Sequence, residues 1–137
     1  LPFDPERYAG LAGFRSALRQ FLAASEAISR RGGITAQQYQ ALLAIGCGSG
    51  PMTMKDLAEQ LLLRQHAATQ MVDRLQKAGL VDRDPSPTDG RSVVLTLTDS
   101  GGALLADLAE QHLAEILKQE PQLTRSLRRL KQTAQRR

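Results

Sequence analysis

The stretch Gly79-Leu80-Val81-Asp82-Arg83-Asp84-Pro85-Ser86-Pro87-Thr88-Asp89-Gly90-Arg91-Ser92-Val93-Val94-Leu95-Thr96-Leu97 decides the fold. Its flanks, Leu80–Asp84 and Ser92–Leu97, are short β-prone runs, and turn formers fill the segment Pro85–Arg91 between them. Asp-Gly inside such a segment signals a hairpin, because both residues accept the positive φ of a tight reversal. The reading is a two-stranded β-hairpin with a polar tip.

Ahead of the hairpin every periodic segment is helical. Residues 65–78 carry Ala68, Met71, Val72 and Leu75 on one stripe, and Gly79 closes them. Thr53-Met54-Lys55-Asp56 opens a short helix with Leu57, Ala58 and Leu61 inward. Thr35-Ala36-Gln37-Gln38 is a capping-box pattern. It starts a helix with Tyr39, Leu42, Leu43 and Gly46 on its inner face, ended by the glycine-rich loop before Pro51. Residues 5–30 form one long amphipathic helix, with Tyr8, Leu11, Phe14, Leu18, Phe21 and Ile28 at steps of three, four or seven. Behind the hairpin, Thr98 caps a fifth helix over about 99–119, and Pro121 starts a sixth with Leu123, Leu127, Leu130 and Ala134 at heptad-like spacing.

Composition removes several function classes. The chain has 137 residues, one domain's worth, and a single cysteine, so a disulfide framework is excluded and reducing conditions are expected. No apolar run approaches the roughly 20 residues of a membrane span, and charges near the first residues leave no visible export signal. The net charge of +4 belongs to the tail: residues 125–137 hold six basic side chains and no acid, whereas residues 1–124 hold 12 basic and 14 acidic. All five aromatic residues lie in the first 39 positions, which disfavours base stacking on single strands.

His66 and His112 with one cysteine supply no zinc spacing, so no metal and no cofactor are expected. The Gly46, Gly48 and Gly50 cluster lacks the Lys-Ser/Thr of a phosphate loop and follows a helix. No nucleophile, base and acid stand together, and catalysis has no support. Cys47 reads as a small buried or half-buried thiol and His112 as a packing or dimer-contact residue.

Helix, short helix, helix and hairpin, in that order, make a winged helix-turn-helix, a mainly α fold with a small β wing. That architecture lays its last helix in a major groove and brings the wing tip to an adjacent minor groove. Gln65, His66, Thr69 and Gln70 fall on the outward N-terminal end of that helix, and all four can hydrogen-bond base edges. Arg74 either clamps a phosphate or pairs internally with Asp73 or a wing acid. Arg91 is a groove contact or a wing stabiliser, with Asp89 beside it as the acid that orients its guanidinium.

The segments Ile34–Tyr39, Lys55–Glu59, Met71–Leu75, Ala78–Val81, Asp89–Ser92 and Leu95–Thr98 together resemble the MarR family of bacterial transcription regulators. The resemblance covers about residues 34–101 motif by motif. It implies a homodimer held by N- and C-terminal helices (1–34 and 99–137) around a DNA-binding region at 35–98. It further implies recognition helices on a palindromic operator, a wing arginine in the minor groove, and in many members a repressor released by a small phenolic or aromatic effector. The cytoplasm, at the nucleoid, is the implied location.

Carried over by position, the DNA-binding set is Arg64, Gln65, His66, Thr69, Gln70, Arg74, Asp89 and Arg91. Phe14, Leu18 and Phe21 with Tyr39 either wall an effector crevice or are core. Two departures stand out: Arg64 where members often have a Ser or Thr cap, and Leu62 where glycine is common. Residues 1–34 lack the cysteine of oxidant-responsive members. The rival reading is a winged-helix protein-interaction module without DNA binding, favoured by the balance of six basic and six acidic residues over 55–91.

Overall fold

A computed structural model describes residues 4–48 and 50–135. The elements are α1 (Pro5–Arg31), α2 (Ala36–Cys47), β1 (Met52–Thr53), α3 (Met54–Gln60), α4 (Gln65–Lys77), β2 (Val81–Pro85), β3 (Val93–Leu97) and α5 (Asp99–Ala134). The fold is mainly helical, with one small antiparallel sheet in the order β1-β3-β2. The expected hairpin is present, in the register Val81↔Leu97, Arg83↔Leu95 and Pro85↔Val93. A third strand joins it, because Met52 and Thr53 pair with Leu95 and Val94. Two residues are too short a run to show a period of two.

Three details correct the sequence reading. Pro121 does not begin a sixth helix; it lies inside a continuous α5. A proline removes one backbone bond, here the one to the Leu117 carbonyl, and α5 carries that loss without a break. Leu43 is exposed, and the inner face of α2 is instead Tyr39, Ala41, Leu42, Ala44 and Ile45. Cys47 is exposed as well, its thiol 3.6 Å from the Ala44 carbonyl in the last turn of α2.

The chain divides into two compact units, residues 29–110 and residues 1–28 with 111–137. The first holds α2–α4 and the sheet, packed on the fully buried Leu42, Leu57, Val72, Leu75, Val81 and Leu95. Thr35 builds the complete capping box of α2: its hydroxyl accepts from the Gln38 amide at 3.0 Å, and its own amide donates to Gln38 Oε1 at 2.8 Å. Gly79, at φ +76°, turns α4 into β2. Beyond β3, the Thr98 hydroxyl donates to the Gly79 carbonyl at 2.6 Å and accepts from the Gly101 amide at 3.0 Å. Thr98 therefore ties the start of α5 to the root of the hairpin. Gly101 packs so closely there that any Cβ would run into the Leu80 carbonyl oxygen.

In the other unit, α1 and α5 are joined by polar ties. Arg7 Nη2 donates to the Thr133 carbonyl at 2.8 Å, meeting one of the orphan carbonyls in the last turn of α5. Ser25 Oγ lies 2.8 Å from His112 Nε2, both residues buried. His112 is thus a packed interior residue of this unit. No helix among the described residues is long and apolar enough to cross a membrane.

Candidate nucleic-acid interface

The buried stripe Ala68, Met71, Val72 and Leu75 fixes how α4 is rotated. Gln65, His66, Gln70 and Arg74 consequently face solvent, and Thr69 is half-buried. The Thr69 hydroxyl donates to the Gln65 carbonyl at 2.9 Å. Its proton is committed to the helix, so toward an outside partner Thr69 offers only oxygen lone pairs and a methyl group.

The turn before α4 breaks two local rules. Leu62 has φ +56° and is 92% exposed, a left-handed conformation that a Cβ makes costly. Arg64 occupies the N-cap and makes no side-chain capping bond. The first amides of α4 are therefore left without a side-chain acceptor, and a cation sits at the positive end of the helix dipole.

The wing tip is held by short-range polar bonds. Ser86 Oγ accepts from the amides of Thr88 and Asp89 at 3.3 and 3.2 Å. Asp89 accepts from the Arg91 amide at 3.0 Å with one oxygen and from the Ser92 hydroxyl at 3.0 Å with the other. The expected pairing of Asp89 with the Arg91 guanidinium is therefore corrected. The carboxylate shapes the Arg91 backbone, and among the described residues no carboxylate engages the exposed guanidinium.

Arg74 likewise does not pair with Asp73. That carboxylate is taken by Arg83 of β2, whose Nη2 contacts Asp73 Oδ1 while its Nε donates to Gln76 Oε1 at 2.8 Å. Between α4, the start of α3 and the wing lies an open cleft of about 320 Å³ that brings Lys55, Gln65, Thr69, Arg83 and Arg91 together. On the opposite flank of α4, Gln70 and Arg74 face a hollow of about 240 Å³ with the cap residue Thr35 and with Gln38 of α2. Gln65 and Thr69 thus fall on one flank of α4, and Gln70 and Arg74 on the other. Arg64, His66 and Asp89 line neither hollow.

The four residues expected at an effector crevice belong to different units. Phe14, Leu18 and Phe21 are half-buried or exposed on α1 in one unit, and Tyr39 is 7% exposed in the core of the other. Burial pushes the Tyr39 phenol pKa up. None of the four lines either hollow on α4. Among the described residues no three His, Cys, Asp or Glu side chains are grouped to share a metal ion.

The MarR family model matches residues 32–92, the span from the α2 cap to the wing tip. The multiple antibiotic resistance protein MarR of Escherichia coli K12 is 38% identical over 94 residues, 69% of this chain and 62% of that protein. A crystal structure of a mutant MarR from E. coli superposes with a TM-score of 0.68 at 30% identity, over 77% of this chain and 76% of that one. This chain belongs to the MarR family.

A second MarR crystal structure, of an E. coli mutant complexed with operator DNA, gives a TM-score of 0.70 at 26% identity, over 89% of this chain and 90% of that one. The chain spans less than two thirds of the length of the first curated MarR relatives it matches. Within this MarR fold, two cleft residues escaped the sequence reading: Lys55 and Arg83. A signal for Arg83 was present, since it stands two places after Val81 and so on the same, inward face of β2. Lys55 carried none, being one cation in the exposed first turn of a short helix.

Proposed function

We propose that this chain is a sequence-specific, double-stranded DNA-binding transcription regulator, acting as a homodimer on a palindromic operator. The observation that carries the reading is the pairing of exposed polar groups on α4 with an Arg91 guanidinium that no carboxylate among the described residues engages. Arg64, Gln65, His66, Thr69 and Gln70 meet the major groove, Arg74 a phosphate, and Arg91 the minor groove, with Asp89 shaping the tip. The helices in 1–34 and 99–137 dimerise and carry region 35–98. Support for the dimer is the row of exposed Leu11, Leu18, Leu22, Leu113, Ile116 and Leu117 in the unit built from the chain ends. Apolar exposure on that scale marks an interface.

Following the family, the regulator is a repressor released by a small aromatic or phenolic effector, working in the cytoplasm at the nucleoid. It is a binding protein and performs no reaction.

Binding to genomic duplex fragments, titrated with salt, tests this. Affinity falls steeply with salt as counterions are released, and Arg91→Ala weakens all duplexes and flattens that slope. Gln65→Ala instead erodes discrimination between operator and scrambled DNA, by about 1–3 kcal/mol for a lost bidentate base contact. A folded chain that binds no duplex at any salt overturns the reading and leaves the protein-interaction module standing.

A further inference from the structure

We propose that Arg83 is a positioning residue that locks the wing to the recognition helix, and that operator discrimination depends on this lock. The proposal rests on the DNA-binding reading above. Arg83 follows the buried Val81 by two residues on β2, so its side chain leaves on the same face of the strand, over α4. Its guanidinium reaches two α4 residues at once, Asp73 through Nη2 and Gln76 through Nε at 2.8 Å. Residues three apart share one helix face, and a planar group bonded to both fixes an angle as well as a distance. Arg83 is in register with Leu95 in the β2–β3 ladder, and the chain enters β3 directly from Arg91 and Ser92. Holding β2 against α4 therefore sets how far Arg91 stands from Gln65 and Thr69, its neighbours in the cleft.

The chemistry of Asp73 points the same way. A carboxylate on the helix offered to a polyanion is unfavourable by charge alone, and this one is 44% exposed. As a stabilising ion pair it contributes little, because water screens partners that are 25% and 44% exposed. Its specific service is geometric, as the anchor that Arg83 grips.

That assignment makes an outcome opposite in sign to electrostatics. Removing a negative charge from a DNA-facing helix tightens binding if only charge matters. If the lock matters, Asp73→Ala weakens binding to a duplex selected from a randomised pool by about tenfold, the size of one lost base-edge contact. Binding to a scrambled duplex is unchanged or tighter.

The experiment compares Asp73→Ala, the isosteric Asp73→Asn, Arg83→Ala, Arg83→Lys and the Asp73→Ala/Arg83→Ala pair. Affinities for both duplexes are read at several salt concentrations, alongside melting temperature. The lock predicts equal losses for Asp73→Ala and Arg83→Ala, no further loss in the pair, and wild-type melting. It also predicts no rescue by Arg83→Lys, whose single ammonium does not span both partners, and a salt slope left as in the wild type. Three results overturn it. One is Asp73→Ala or Asp73→Asn binding the selected duplex as tightly as the wild type or tighter. Another is a slope lowered by about 0.9 in Arg83→Ala, which makes Arg83 a phosphate contact. The last is additive losses in the pair. A wild-type chain with no duplex affinity at all removes the DNA-binding reading itself, an outcome distinct from these three.

Discussion

The unit of residues 29–110 and the unit of residues 1–28 with 111–137 treat their apolar side chains in opposite ways. Among the described residues, 18 of the 20 buried apolar side chains belong to the first, and eight of the ten exposed large ones belong to the second. Charge divides against expectation too. The winged-helix unit holds eight basic and nine acidic residues, the other unit ten basic and five acidic. On the proposed DNA-binding function, a unit with no net positive charge draws on a few placed cations rather than a general field, which puts weight on Arg64, Arg74 and Arg91 individually. The winged-helix unit completes its own core. The unit of the chain ends leaves most of its leucines exposed.

The comparison breaks hardest at the core of the winged-helix unit. Leu75→Ala, at a fully buried α4 position, should cost about 2–5 kcal/mol in denaturant unfolding and abolish the cleft with it. Next comes the chain-end unit. Leu22→Asp with Leu117→Asp should turn a particle of about twice the 15.0 kDa chain mass into a monomer in sedimentation, each leucine forfeiting roughly 1.5–3 kcal/mol of burial. The two losses differ in kind, because only the second should depend on protein concentration. If the Leu75→Ala loss also tracks concentration, the winged-helix unit is not complete by itself.

Smaller effects sharpen the contrast within the winged-helix unit. Thr35→Ala removes the capping box of α2 and should lower unfolding free energy by about 0.5–2 kcal/mol. Leu62→Gly should do the reverse. Relief of the left-handed strain, about 1–2 kcal/mol, exceeds the roughly 0.5–1 kcal/mol entropy cost of glycine, so a small gain in melting temperature is expected. A loss there would mean that Leu62 has a packing role its exposure does not show.

The helices α2 to α4 and the hairpin were legible because each carries its own punctuation. Thr35, Thr53 and Gly79 mark ends, the apolar stripe of α4 marks a face, and Asp89-Gly90 marks the reversal. The outward set on α4 followed from that stripe alone, since periodicity places a side chain toward or away from a core before the core is seen. The bonding of those side chains was not legible. Asp89 lies two residues from Arg91 and Asp73 lies next to Arg74, and adjacency suggested pairs that the chain does not make. Asp89 accepts from the Arg91 amide and the Ser92 hydroxyl of its own loop, and Asp73 took a partner ten residues on.

The sequence by itself determined the order of elements, their caps and the inward faces of the winged-helix segment, because those depend on interactions within one turn of helix or one strand pair. Tertiary structure alone decided that Met52 and Thr53 form a third strand, that α5 runs through Pro121, and that Arg83 bridges β2 to α4. Each of those outcomes turns on what another part of the chain presents at a given point in space. A two-residue strand exists only where β3 has a free edge. A proline is carried where the hydrogen bonds and packing of the rest of a long helix outweigh the one backbone bond it removes. A guanidinium chooses among several carboxylates by reach and angle, and the local spacing of charges along the chain holds no record of either.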